Sequence, residues 1–327
     1  MLMKSINDFV SLERNLMNKD NVLAGQSDIG CVIVTFNRLD KLKTTLEHYA
    51  NQTLLPRYII VVNNASTDGT KEYLDAWKEH HDGFLKIVIH SNENLGGSGG
   101  FYLGEQAAIN QDADWIMIAD DDAYPSSNYI EGIQAYINTH IRENISIVCG
   151  RVDENGTCEN IHRSQWRSKW DRNFHVPVKK INYSKKEFHP DFVSYVGIVI
   201  NRDKMRSAGL VDKNNFIWCD DTEHTYRLSK MGKLVCLPAF SIYHDVDSSN
   251  GQLSWKSYYG MRNDLIFFKK HFPIHYPVVL LKLFIKTLLS PLKGRSMVEF
   301  RMRFAAMRDS LWGNMGKNEI YKPGWKF

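Results

Sequence analysis

Residues 115–122 read Trp-Ile-Met-Ile-Ala-Asp-Asp-Asp, an apolar run from Trp115 to Ala119 that passes directly into three adjacent carboxylates, Asp120, Asp121 and Asp122. A short apolar run bounded by a polar turn reads as a buried strand. Three carboxylates at such a strand end repel one another, and a cation that neutralises them makes the arrangement favourable. Oxygen donors suit Mg2+ or Mn2+, which in turn grip phosphate oxygens. An acidic turn capping the next segment is the plainer alternative.

Upstream, the same strand pattern occurs three times. Ile29 to Thr35 (IGCVIVT) is followed by the polar turn FNRLD and by helical character from Lys41 to Ala50. Tyr58 to Val62 (YIIVV) ends in NNASTDGT, residues 63–70, and runs on into a helix from Lys71 to His81. Leu85 to His90 is a third strand, the Gly-rich segment Asn94 to Gly100 a turn, and Phe101 to Asn110 a third helix. Strand alternating with helix at this spacing predicts an α/β fold, a Rossmann-like and mostly parallel sheet with right-handed crossovers and helices on both faces. Ligands of such sheets bind beyond the carboxyl ends of the strands, so the four polar segments should meet on one rim.

With 327 residues, 43% hydrophobic and 24% charged, the chain is a globular one, large enough for one large domain or two ordinary ones, which excludes disorder and fibrous repeats. Five cysteines form no C-x-x-C pair and are odd in number, so neither a disulfide framework nor a structural zinc site is indicated, and a cytosolic setting is expected. The first residues lack the apolar core of a secretory signal, and no charge-free apolar run reaches membrane-spanning length.

Beyond about residue 150 the alternation breaks down. Phe192 to Ile200 reads as a strand, and Asp220-Asp221-Thr222-Glu223 follows the aromatic segment Phe216-Ile217-Trp218-Cys219. An aromatic wall raises a carboxylate's pKa and can poise it as a general base, although an acidic helix start also explains the cluster. His244 follows the apolar run Leu234 to Phe240 and is placed at another strand end facing the same rim, or is simply a packed histidine. The run Gly96-Gly97-Ser98-Gly99-Gly100 follows the third strand, whereas a dinucleotide fingerprint belongs after the first, which here ends in Thr35-Phe36-Asn37-Arg38 without glycine. That disfavours a nicotinamide-dependent oxidoreductase. The glycines read as a turn that lets a sugar nucleotide lie close to the backbone, with helix-start amides available to it, or as a plain flexible turn.

Taken in order, VIVTFNR, VVNNASTDGT, NENLGGSGGF, DDDA, WCDDTE and the lone His244 resemble the inverting glycosyltransferases of family 2, which have the GT-A architecture and use nucleotide sugars; the resemblance covers roughly residues 29 to 263. NLGGSGGF and the Phe-Ile-x-x-Asp-Asp segment are most similar to bacterial galactofuranosyltransferases, while rhamnosyltransferases share much of the pattern. The resemblance implies that Asp120 and Asp122 flank a Mn2+ or Mg2+ ion, with His244 completing the protein ligands, and that Asp121 lies against the donor. Thr35, Arg38, Asn64 and Asn94 would hold the nucleotide, with Asp68 in the same loop; Gly96, Gly97 and Trp218 complete the substrate-binding set. Asp221 corresponds to the catalytic base and Asp220 to a sugar-binding neighbour. One departure is that many relatives carry Asp where this chain has Asn63 or Asn64. The expected organisation is an N-terminal extension over 1–28, a catalytic domain over 29–250 with a nucleotide-sugar half (29–125) and an acceptor half (126–250), and a helical C-terminal region over 251–327. The expected partners are a UDP-linked donor and a glycan or lipid-linked glycan acceptor. The runners-up are a rhamnosyltransferase using dTDP-rhamnose and a catalytically silent carbohydrate-binding relative.

The net charge of +4 conceals an asymmetry: from Gly251 onward 14 basic residues face 4 acidic ones, and the remainder carries 27 against 33. A basic tail on an acidic body suggests an anionic partner such as lipid head groups or a pyrophosphate-linked acceptor, or a solvated helix face; nucleic acid is disfavoured because no recognition motif accompanies it. Residues 273–292, PIHYPVVLLKLFIKTLLSPL, place Lys282 and Lys286 four apart on one helix face, near Lys269, Lys270, Lys293 and Arg295. The segment 273–295 therefore fits a helix at the inner face of a membrane, with both lysines toward anionic lipid, or a helix packed on the catalytic domain or on a second copy in a homo-oligomer.

Overall fold

The computed structural model describes residues 26–246, 253–291 and 296–325. Most of the expected N-terminal extension lies outside the described residues, as do Lys293 and Arg295.

Strand and helix alternate through the first part of the chain: β1 (Ile29–Thr35), α1 (Leu39–Ala50), β2 (Tyr58–Asn63), α2 (Thr70–Glu79), β3 (Leu85–His90), α3 (Gly96–Ala108) and β4 (Trp115–Asp120). The four strands are parallel, in the order β3-β2-β1-β4. Period-two alternation along β1 explains why it has no polar face. Cys31 and Ile33 share a core with Leu42 and Leu46 of α1 and Leu74 of α2. Val32 and Val34 share another with Phe101 and Ala108 of α3 on the opposite side. Helices thus cover both faces, as the alternation predicts.

The expected turn over Asn94 to Gly100 is instead the approach and opening turn of α3, which begins at Gly96. The glycines are there for proximity. A Cβ on Gly104 would lie 2.3 Å from Val32 Cγ1, so the helix sits closer to the sheet than an alanine allows. Gly96 has φ +74°, and a Cβ there would lie 2.0 Å from the Phe216 carbonyl oxygen.

After β4 come β5 (Ala123–Pro125), α4 (Tyr129–Thr139), β6 (Ile145–Glu154) and β7 (Thr157–Glu159). Next are β8 (Arg163–Trp166), β9 (His175–Pro177), β10 (Phe192–Val193), β11 (Ile198–Asn201), α5 (Arg202–Ala208), α6 (Asp220–Ser229) and β12 (Lys233–His244). The main sheet continues β4-β11-β6-β12-β5, with β11 antiparallel to both neighbours and β12 parallel to β6. The single strand expected over Phe192 to Ile200 is two strands in two sheets. Val193 pairs with Arg163 in the small antiparallel sheet β10-β8-β9, and Ile198 pairs with Ile118 and Cys149 in the main one. Both sheets bury their strands, so the apolar content runs on through the break.

Three helices follow, α7 (Trp255–His271), α8 (Tyr276–Leu288) and α9 (Met297–Trp312). They share an aromatic core with the small sheet, in which Phe174 stacks on Phe267 and Phe192 joins Leu265, Phe268 and Val279. A second cluster joins Phe216 to Tyr258, Tyr259, Met302 and Ala306. The lysines of α8 are exposed, and each has a partner on the catalytic domain. Lys282 donates to the Trp170 carbonyl (2.9 Å) and Lys286 lies 3.7 Å from Asp171, because the loop before β9 offers them acceptors. Beside them the outward face of α8 carries Leu281, Phe284, Ile285 and Leu288, all exposed. No described helix is long and apolar enough to cross a membrane.

Candidate active site

The register aligns the carboxyl ends of the strands: Thr35 pairs with Asn63, Asn63 with His90, and Val34 with Asp120. On the far side, β12 pairs with β5 so that His244 faces Ala123, bringing the histidine beside the aspartate triplet. The expectation of one shared rim holds for these segments.

Ligand atoms of Asp120, Asp122 and His244 all lie within 4.8 Å of one another. His244 Nε2 is 3.4 Å from Asp122 Oδ1, a buried oxygen without a hydrogen-bond donor of good geometry. Arg38 Nη1 stands 3.2 Å from Asp121 Oδ1 and 2.6 Å from Asp122 Oδ2. Burial, reinforced by Asp122, pushes Asp120 up to about 8, and burial lifts Asp121 to about 6 against the pull of Arg38. Asp122 is held below its usual range because His244 and Arg38 outweigh its burial. Burial would lower His244, but the Asp122 and Glu154 carboxylates carry it up to about 9. Two carboxylates, one of them with an orphaned buried oxygen, and one imidazole nitrogen together fit a divalent cation.

Two residues at this centre have no sequence signal. Glu154, at the end of β6, accepts from His244 Nδ1 at 2.9 Å and from His162 Nε2 at 2.7 Å. A carboxylate on one ring nitrogen fixes which nitrogen is left for a metal.

The loops after β2 and β3 are tied together by their own amides. Asn64 Oδ1 accepts from Leu95 N (3.0 Å) and its Nδ2 donates to Gly96 O (2.9 Å), while Asn94 Oδ1 accepts from Gly96 N (2.8 Å). Asp68 accepts from Leu39 N (3.0 Å) and Thr70 N (3.3 Å), joining the starts of α1 and α2. The side chains of Asn64, Asn94 and Asp68 are thus committed to shaping the rim. Thr35, expected to hold the nucleotide, is fully buried with its hydroxyl unpartnered, and Gly97 has open space where a side chain would be.

Asp220 and Asp221 open α6, where the helix N-terminus favours negative charge. The chain reaches them through three left-handed residues other than glycine, Phe216 (φ +66°), Trp218 (φ +63°) and Cys219 (φ +64°). Such conformations persist only where surroundings enforce them. Asp221 Oδ1 accepts from Thr222 N (2.6 Å) and its hydroxyl (3.1 Å). Burial and the Asp220 carboxylate still push Asp221 up to about 7, and burial raises Asp220 as well. Beside them a cavity of about 400 Å³ is bounded by Trp218, Thr222, Arg172, Ser257 and Asp264. Trp218 is 46% exposed. Ser98 N donates to Phe216 O (3.2 Å), tying the start of α3 to the segment before Asp220, and Lys256, at the start of α7, lies close enough to Asp120 and Asp122 to be influenced by both.

The sequence profile described as Glycosyl transferase family 2 matches residues 31–205, more than half the chain. The chain belongs to glycosyltransferase family 2. Galactofuranosyltransferase GlfT1 of Mycolicibacterium smegmatis is 28% identical to this family 2 enzyme over 204 residues, 62% of the chain and 65% of the relative. The match thus spans slightly less than two thirds of that relative's length. The crystal structure of GalNAc-T7 with UDP, GalNAc and Mn2+ superposes with a TM-score of 0.60 at 18% identity, covering 75% of this chain and 48% of that one. The mannosyltransferase PcManGT from Pyrobaculum calidifontis, in complex with GDP-Man and Mn2+, gives 0.54 at 15% identity over 89% of each chain. The curled, mostly parallel sheet of this family 2 member is the GT-A fold.

Proposed function

We propose that this enzyme transfers galactofuranose from UDP-galactofuranose to a glycan or lipid-linked glycan acceptor, with inversion at the anomeric carbon. The observation that carries the reading is a division of labour between two acidic clusters. One gathers Asp120, Asp122 and His244 around an orphaned carboxylate oxygen, and the other carries Asp221, raised to about 7, next in sequence to Thr222, which lines the cavity. Asp120, Asp122 and His244 would hold Mn2+ in preference to Mg2+, since an imidazole ligand suits the softer ion. The cation supplies Lewis-acid neutralisation of the departing diphosphate. Arg38 and the backbone around Gly97 bound the space for the nucleotide.

Asp221 takes the proton of the acceptor hydroxyl as that oxygen bonds to the anomeric carbon from the side opposite the leaving group. The bond from that carbon to the diphosphate oxygen breaks with its electron pair, and UDP departs. The cavity beside Trp218 fits the acceptor sugar, for which an exposed indole is a stacking platform. The choice of galactofuranose is supported by the 28% identity to a galactofuranosyltransferase. Incubation with a panel of nucleotide sugars and Mn2+, read as free nucleoside diphosphate, tests it. Release of UDP from UDP-galactofuranose is expected, and release from dTDP-rhamnose alone would reassign the donor.

We further infer that the apolar face of α8 meets lipid, holding the enzyme at the inner membrane surface near a lipid-linked acceptor.

A further inference from the structure

Four residues of the base loop, 216–219, lead into Asp220 and Asp221, and three of them occupy left-handed backbone conformations. Nothing in the loop itself explains why it keeps this shape. Residues without a glycine's freedom cost on the order of 1–3 kcal/mol each in such regions unless their surroundings enforce them. Ser98 N of α3 holds the Phe216 carbonyl, and the neighbouring carbonyls are held from α7, outside the part of the chain that matches the family profile.

The two N–H groups of Asn263 Nδ2 are shared among three carbonyls of this segment: Asn215 O at 3.0 Å, Ile217 O at 3.0 Å and Trp218 O at 2.8 Å. Its Oδ1 is held by Arg262 Nε at 2.9 Å, which fixes the amide's orientation. The Arg262 guanidinium also donates to Asn215 O (3.0 Å) and to Gly316 O (2.8 Å), and it lies against the rings of Tyr258 and Tyr259. Both side chains are buried. On the same helix, one turn earlier, Gly260 packs under the Trp218 ring. Arg262 shares the hold on Asn215 O, whereas the Ile217 and Trp218 carbonyls are held by Asn263, and a quarter-turn of either peptide would re-aim the start of α6.

We propose that Asn263, oriented by Arg262, is a positioning residue for the catalytic base: it clamps the backbone of residues 215–218 so that Asp221 points at the acceptor hydroxyl. This rests on the glycosyltransferase reading of Asp221. The C-terminal helices are then part of the catalytic apparatus. Small misplacements of a reacting group can lower a rate about 10²-fold while leaving distant binding contacts intact.

The test is a double-mutant cycle on the full chain, combining Asn263→Ala with Asp221→Asn, together with hydrogen exchange of the amides in residues 215–222. Asn263→Ala should lower kcat by about 10- to 100-fold, leave the affinity for UDP with Mn2+ within about twofold, and speed exchange in 215–222. In the Asp221→Asn background the same substitution should cost less than about threefold, because the group it positions is already gone. A full additive loss in the double variant, or normal kcat alongside faster exchange, would overturn the clamp's catalytic role. If Asn263→Ala does not fold, Asn263→Ser, which keeps one donor, is read in the same way. A wild-type protein that turns over no nucleotide sugar overturns both the transferase reading and this role for Asn263; accelerated exchange would then show a purely structural clamp.

Discussion

Glu154 Oε1 accepts a hydrogen bond from His244 Nδ1 at 2.9 Å, leaving His244 Nε2 turned toward Asp122. This contact decides which nitrogen of the histidine faces the aspartate triplet. Removing an outer carboxylate of this kind typically weakens metal binding by about 10- to 100-fold. Glu154→Gln should therefore weaken Mn2+ binding by about that factor, read by isothermal titration with UDP present. An unchanged affinity would place His244 outside the ligand set.

The rate should depend on pH through Asp221. Its carboxyl is raised to about 7 by burial and by Asp220, and a base acts only when unprotonated. As pH falls through about 7 the group gains a proton, so kcat should decline about tenfold per unit on the acid side and level off above. A profile flat down to pH 5 would remove Asp221 from this role.

Close packing of α3 on the sheet is open to a stability test. Gly104→Ala gains about 1 kcal/mol of helix propensity, but its methyl would sit 2.3 Å from Val32 Cγ1, and overpacking of that kind costs about 1–3 kcal/mol. The strand is buried on both faces and has nowhere to move, so the overlap should win. Urea denaturation is expected to show a loss of up to about 2 kcal/mol, whereas a gain would mean the sheet yields.

Association with membranes should follow the apolar face of α8 rather than its lysines. Lys282 and Lys286 already have partners in Trp170 and Asp171. In liposome flotation, Lys282→Glu/Lys286→Glu should change little and Leu281→Ser/Ile285→Ser should abolish binding. A wild-type protein that fails to float but dimerises in light scattering would assign this face to a second copy.

The first four strands, and the rim at their ends, were legible because each strand announces itself by a β-branched run and each following turn by polar residues. Asp120, Asp122 and His244 come together as the sequence implies. The second half was less legible. Phe192 to Ile200 gives no sign that the chain changes sheets at Ser194–Gly197, since both pieces are buried alike. Glu154 and His162 carry no local motif: Glu154 reaches His244, 90 residues away, through the pairing of β6 with β12, and His162 arrives through its hydrogen bond to Glu154. Asn263 was hidden for the same reason, being one amide on a helix whose partners are carbonyls about 45 residues away. For the lysines of α8, periodicity gives a shared face but not the Trp170 and Asp171 partners they meet there.

The central claim is that the two acidic clusters do different work, one holding the cation and nucleotide, the other removing a proton. The most direct measurement compares Asp221→Asn with the wild type for turnover and for Mn2+-dependent UDP binding on the same preparation. The account predicts turnover lowered by roughly 10² to 10⁴ with UDP affinity preserved. Near-normal turnover in the variant, or UDP affinity lost along with activity, would contradict it.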